Sequence, residues 1–224
     1  MSAIERRSEG VEPAAGIEAI VSDFGGVLTS PVFESFVAWQ EATGIPLEAL
    51  GKAMAEIAAR DGANPLFELE TGRLSEADFL GALSRQLSSD LGRTVKLDGF
   101  ADRYLKELGP NPRMIEYMRE LRGRGYKLAI CTNNIREWEE RWRAKLPVDE
   151  IFDVVVDSSS VGTRKPEARI FEITLHRLGV QPAAAVFVDD LEANCNAARE
   201  LGIAAVWFRE TDQAIREIEA ALGL

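Results

Sequence analysis

The sequence predicts an α/β fold: a doubly wound parallel sheet with an all-helical unit inserted after its first strand. Three observations predict it. Short apolar runs, each long enough for a buried strand, alternate with stretches of helical periodicity, the pattern of parallel strands joined by right-handed crossovers. One interval, 31–108, breaks that alternation and carries only helical patterns. The chain has 224 residues and is 46% apolar, enough for one large domain or for a core domain with a smaller companion.

The elements follow in order. Residues 1–16 mix Glu, Arg, Ser, Pro and Gly without an apolar core, and are expected to be a flexible tail and not a signal peptide. Strands are expected over 17–22, 126–131, 152–156, 184–188 and 203–208. Helices are expected between and after the later strands, over 112–124, 135–145, 166–178, 192–201 and 212–222, with Gly179 and Gly202 as stop signals. The interval 31–108 divides into amphipathic stretches at 32–43, 47–60, 75–91 and 99–108. Ser75 with Asp78 reads as a capping box. Pro110 and Pro112 mark the return, so the expected organisation is a core of 17–30 and 109–224 around a helical cap of 31–108.

Charge and composition exclude several functions. The net charge is −11, and no run of Lys and Arg offers a surface for nucleic acid or an anionic membrane. AAAVFV and IAAVWF are far too short to span a bilayer. Cys131 and Cys195 make no disulfide framework, which fits a reduced, cytoplasmic protein in which both pack. The only histidine, His176, lies within an expected helix and has no ligand partner in its pattern. No G-x-S-x-G elbow supports the serines at 158–160 as nucleophiles, and no Walker A pattern occurs. Asp23-Phe24-Gly25 mimics a kinase tripeptide, but no other kinase motif accompanies it.

Four short motifs carry the chemistry: Asp23 in IVSDFGGVLT, Thr132-Asn133 in LAICTNN, Lys165 in GTRKPEARIF, and Asp189-Asp190 in AVFVDDLEAN. Three of them follow expected strands, whose ends gather in one crevice of an open parallel sheet. Asp23 is a candidate nucleophile toward phosphorus. Gly25 and Gly26 permit a loop that wraps closely around a phosphate or a metal. Thr132 and Asn133 can hold phosphoryl oxygens. Lys165 can neutralise both Asp23 and the transferred group, and Pro166 suits the first position of the following helix. Asp189 and Asp190 beside a third acid call for a divalent cation, and Mg²⁺ suits carboxylates and phosphate oxygens. Asn194, one turn on, can orient the loop or the lysine. In the insert, Arg73 is a candidate for a second anionic group of a substrate, with a surface ion pair as the competing reading. Glu70 lies close by in sequence, and Trp39 either lines the cap or packs its bundle.

This ordered set resembles the haloacid dehalogenase-like hydrolase superfamily over residues 17–210. DFGGVLT, TNN, RKPEARIF and FVDDLEANCNAA are similar to the helical-cap subgroup that includes the N-terminal phosphatase domain of soluble epoxide hydrolase. The resemblance implies a Rossmann-like core, a Mg²⁺ cofactor and an aspartyl-enzyme intermediate. By position, it implies Asp23 as nucleophile, Thr132 and Lys165 as its catalytic partners, and Asp23, the Gly25 carbonyl, Asp189 and Asp190 around the metal. The expected activity is hydrolysis or transfer of phosphate from a small phosphorylated metabolite. Receiver domains share the residues in another order and do not match.

One position departs from the pattern. Phosphatases of the superfamily usually carry a second Asp two residues after the nucleophile, as acid for the leaving group and base for water. Here that residue is Gly25. Acid–base catalysis contributes about 10²–10⁴-fold, so poor leaving groups should react slowly unless another group, for instance from the cap, supplies the proton. Two alternatives therefore stand beside the phosphatase: a metal-independent 2-haloacid dehalogenase using the same Asp23, and a binding protein that keeps the metal and phosphate site without turnover. Homo-oligomerisation is possible and is not legible in the sequence.

Overall fold

The computed structural model describes residues 16–224; the tail expected over 1–16 lies outside them except for Gly16. Five parallel strands form one sheet in the order β3-β2-β1-β4-β5. They are β1 (Ala19–Ser22), β2 (Lys127–Thr132), β3 (Val154–Asp157), β4 (Ala185–Asp189) and β5 (Ala204–Trp207). The register sets Ser22 beside Ile130 of β2 and Val188 of β4. Strand order reverses between β1 and β4, so a crevice opens at their C-terminal ends.

Alternation along the strands explains the two covered faces. Ile20, Leu128, Ile130, Val186 and Val188 belong to one buried cluster with Met118 and Ile218. Their neighbours Ala19, Val21, Ala129, Cys131, Ala185 and Phe187 belong to a second, with Ile170, Phe171 and Ala198. A strand buried on both faces needs apolar residues at every position, which is why these runs are continuous.

The insert leaves the core after Thr29, which forms an antiparallel bridge with Pro110. Ser30 donates to Gly109 O and Asn111 to Leu28 O, so departure and return are tied together. Between them lie α1 (Val32–Thr43), α2 (Leu47–Asp61), α3 (Pro65–Glu70), α4 (Glu76–Leu91) and α5 (Phe100–Glu107), and no strand occurs among these described residues. Helix α2 packs on α4, and α1 on α5. Ser75 caps α4 by accepting from Asp78 N–H at 3.1 Å, and its hydroxyl donates to the Asp78 carboxylate at 2.7 Å. Trp39 is buried and packs edge-on against Phe100, 5.7 Å between centroids.

The remaining helices are α6 (Pro112–Gly123), α7 (Glu139–Arg143), α8 (Val148–Ile151), α9 (Ser158–Val161), α10 (Ala168–Leu178), α11 (Glu192–Glu200) and α12 (Thr211–Leu222). Three expectations are corrected. The helix expected over 135–145 is a 3-10 turn, Arg136–Trp138, followed by the short α7. That turn sets Trp138 beneath the insert, where its Nε1 donates to Glu76 at 2.9 Å. Pro166 does not open the helix after Lys165; the Lys165–Pro166 peptide is cis and α10 begins at Ala168. Between the stretches at 47–60 and 75–91, where no helix is expected, the chain forms α3, whose cap Asn64 and first residue Pro65 are ordinary helix-start signals. No helix among the described residues is long and apolar enough to cross a membrane.

Candidate active site

The four motifs meet at the crevice. Asp23 follows β1, and its N–H donates to Val188 O of β4, which holds the loop after β1 against the loop after β4. Its Oδ1 accepts from Phe24 N–H at 2.6 Å and pairs with Lys165 Nζ at 2.8 Å. Among the described residues no hydrogen bond engages its Oδ2. Thr132 ends β2 and is buried beside Asp23 in the same cavity wall.

Lys165 lies between two acids. Its Nζ reaches Asp189 Oδ2 at 2.7 Å as well as Asp23, and its side chain is 1% exposed. An ammonium so placed has no route to water, and both carboxylates favour its charge. Burial opposes that charge, but Asp189 and Asp23 outweigh it and hold the amine well above the ordinary lysine range.

Asn133 does something other than the phosphate contact expected of it. Its Oδ1 accepts from Lys165 N–H at 2.8 Å and its Nδ2 donates to Lys165 O at 3.0 Å. The side-chain amide is spent clamping the lysine's main chain, so Asn133 positions Lys165. Asn194 orients the acid and not the lysine: its Nδ2 lies 2.9 and 3.1 Å from the Asp189 oxygens.

The two adjacent acids differ. Asp189 is fully buried and takes hydrogen bonds from Lys165, Asn194 and Leu191 N–H. No hydrogen bond among the described residues engages the Asp190 carboxylate. Carboxylate oxygens of Asp23, Asp189 and Asp190 lie within 4.8 Å of one another. Burial raises Asp23 to about 7 against the pull of Lys165, with Asp189 and Asp190 adding to the rise. Burial and then the charge of Asp189 raise Asp190 to about 6. Three acids facing one ammonium leave about two negative charges uncompensated, the demand a divalent cation satisfies. The donor set is all oxygen, which fits Mg²⁺. Asp190, with its carboxylate unengaged, is the acid free to bind directly.

The glycines have steric reasons. Gly26 holds φ +74°, and a Cβ there would lie 2.3 Å from Asp190 Oδ2. A Cβ on Gly25 would lie 2.9 Å from Val32 Cγ2, so the start of α1 crowds the position where a second Asp would stand.

Arg73 is not brought to the site. It is half exposed and forms a two-pronged pair with Glu68, at 2.8 and 2.9 Å. The charged pair that does reach the cavity is Glu70 with Arg164, Oε2 to Nε at 2.6 Å, with the guanidinium 3.9 Å above the Phe67 ring. Burial pushes Glu70 upward, opposed by Arg164. Arg164 stands beside Lys165 in sequence, and its neighbour's place in the motif was the one signal available for it.

Above these groups lies a cavity of about 370 Å³ between sheet end and insert. Its floor is Asp23, Thr132, Lys165 and Asp190; its walls are mostly apolar, with Phe36, Leu50, Met54, Leu83 and Trp138 among them. Cys131 and Cys195 are buried and unpaired, and His176 is exposed on α10.

A parallel sheet with acids at its switch point and helices across the opening defines a class of α/β hydrolases. The family model described as "Hydrolase: haloacid dehalogenase-like hydrolase" matches residues 17–202. The chain belongs to that family and is an enzyme by that membership. Acyl-CoA dehydrogenase family member 10 of Mus musculus is 31% identical over 92% of this chain, and bifunctional epoxide hydrolase 2 of Sus scrofa 28% over 93%. The chain spans only 19% and 39% of those two proteins' lengths. A phosphorylated carbohydrates phosphatase of Thermotoga maritima is 30% identical over 85% of this chain and 84% of its own. Two solved structures share the fold. A haloacid dehalogenase family enzyme of Bacteroides thetaiotaomicron, in complex with magnesium and inorganic phosphate, has TM-score 0.60 and 22% identity over 85% of this chain and 93% of its own. L-2-haloacid dehalogenase of Xanthobacter autotrophicus, with chloropropionic acid covalently bound, has TM-score 0.61 and 21% identity over 92% and 83%.

Proposed function

We propose that the chain is a Mg²⁺-dependent phosphatase that forms an aspartyl-phosphate and acts on a small phosphate monoester with an apolar organic group. One observation carries the reading: the unengaged Asp23 Oδ2 stands beside a lysine and two further acids at the floor of a mostly apolar cavity. Asp23, Asp189, Asp190 and the Gly25 carbonyl would hold Mg²⁺, which when bound neutralises phosphoryl charge and orients the ester. Asp23 Oδ2 attacks phosphorus; the new O–P bond forms as the ester P–O bond breaks and the alcohol leaves. Water then attacks the aspartyl-phosphate and releases inorganic phosphate. Lys165 favours the ionised form of Asp23 and holds its Oδ1, leaving Oδ2 for phosphorus, and the Thr132 hydroxyl donates to a phosphoryl oxygen. Gly26 admits the close approach of the Asp190 loop. The apolar walls favour a hydrocarbon or aromatic group over a sugar, whose hydroxyls would find few partners there.

The test is phosphate release from p-nitrophenyl phosphate and acetyl phosphate, with and without Mg²⁺, by the wild type and Asp23→Asn. Mg²⁺-dependent release that vanishes in the variant is expected. Release that survives Asp23→Asn would end the reading. The apolar cavity and Gly25 also suit attack of Asp23 on a halogenated carbon; halide release from 2-chloropropionate without Mg²⁺ would select that chemistry instead.

A further inference from the structure

The phosphatase reading leaves one proton without a donor, because Gly25 stands where the acid would be and α1 crowds that position through Val32. The remaining groups at the cavity are few. Lys165 is locked between Asp23 and Asp189. Asp190 belongs to the trio of acids. The insert contributes mostly hydrocarbon to the cavity, with two exceptions, Glu70 on α3 and Tyr104 on α5. Glu70 is already engaged, its Oε2 held by Arg164 Nε at 2.6 Å, so its carboxyl is committed to the guanidinium.

Tyr104 is placed differently. Its ring is held on three sides: edge-on to Phe36 at 5.3 Å, stacked on Phe100 at 6.1 Å and tilted against Trp138 at 5.1 Å between centroids. A side chain so packed keeps one orientation. Its ring lies along the cavity wall, and no hydrogen bond among the described residues engages its hydroxyl. Glu70, Asp23 and Asp190 line the same cavity. Burial first, then the charges of Glu70, Asp23 and Asp190, hold the phenol well above its ordinary range, so it keeps its proton. A hydroxyl without a protein partner on the wall of the cavity that holds the acids is available to a bound ester.

We propose that Tyr104 is a catalytic residue of this site, the general acid that the insert supplies in place of the missing carboxylate at position 25. As Asp23 Oδ2 bonds phosphorus and the ester P–O bond breaks, the Tyr104 O–H proton passes to the departing oxygen. The products are a neutral alcohol, the aspartyl-phosphate and a tyrosinate. When water attacks the aspartyl-phosphate, one of its protons returns to Tyr104, phosphate departs and Asp23 is again a carboxylate. An alkoxide is more basic than a tyrosinate even in this acidic surrounding, so the first transfer runs downhill. The same surrounding makes the tyrosinate a strong base for the second.

The inference rests on the phosphatase reading, and two esters separate them. p-Nitrophenyl phosphate has a leaving group that needs no proton; 2-phenylethyl phosphate has one that does, and its aromatic chain fits the cavity walls. Tyr104→Phe removes only the hydroxyl. The expected result is a kcat on 2-phenylethyl phosphate lower by about 10²-fold or more, with less than about a threefold change on p-nitrophenyl phosphate. Turnover of p-nitrophenyl phosphate also reports that the variant is folded. An equal loss on both esters, or no loss on the alkyl ester, would overturn the proposal. So would a wild type that cleaves p-nitrophenyl phosphate and leaves the alkyl ester untouched. Release from neither ester by the wild type would instead remove the phosphatase reading beneath it.

Discussion

Asp23 sits where its own charge is disfavoured, and that has a measurable sign. Asp23 and Asp190 are raised from the ordinary 3.8 to about 7 and about 6. Between those values the folded protein holds protons that the unfolded chain has lost. The slope of stability against pH is therefore negative across that window: these groups favour folding when protonated and oppose it as pH climbs through 6 to 7. A cation bound between the ionised acids reverses the penalty. Without Mg²⁺ the melting temperature is expected to fall between about pH 4 and pH 7, and added Mg²⁺ to restore it at the upper end and not the lower. Asp190→Asn should flatten both trends in a thermal-shift series. A metal-free protein whose melting rises over the same range would contradict the charge arrangement. At this scale the motif residues were legible as residues, but their bonding was not. Asn133 spends its amide on Lys165, Arg73 on Glu68, and only the packed chain shows which polar groups are already satisfied.

The long helices of the insert were legible because their signals are local. Helix α4 begins where Ser75 places it, and Ser75→Ala is expected to cost about 1 kcal/mol. For a domain of this size that lowers the melting temperature by about 2–4 °C. Phosphate release should be unchanged, because Ser75 does not line the cavity. A larger drop with loss of turnover would mean that the turn before α4 also supports the site. The short elements escaped the sequence. Helices α8 and α9 and the turn at Arg136–Trp138 span at most four residues, too short for a periodic pattern to stand out. Helix α3, six residues long, also escaped and matters most, since it carries Glu70 to the cavity, and Ser158 of α9 donates to Glu70 O at 2.5 Å.

Across the whole molecule, one buried cluster runs from the sheet into the insert. It joins Ile20, Leu128 and Val186 of the strands to Trp39, Leu50, Leu87 and Phe100 of the helices. A core shared in this way couples the two parts. Calorimetry of the full chain is therefore expected to show a single cooperative transition near neutral pH. Two resolved transitions would mean that the insert unfolds by itself. The same continuity gives the cavity its walls: residues of α1, α2, α4 and α5 close over acids carried by the sheet.

The sequence by itself determined the layered α/β architecture, the long helices and the identity of the residues at the strand ends, because alternation, helical period and caps are properties of neighbours along the chain. Tertiary structure alone decided which groups face the cavity and which are already spent. Glu70 of α3, Tyr104 of α5 and Arg164 of the loop before α10 come to one place. Their meeting depends on how the insert packs on the sheet, and contacts over such separations leave no periodic trace in a single sequence.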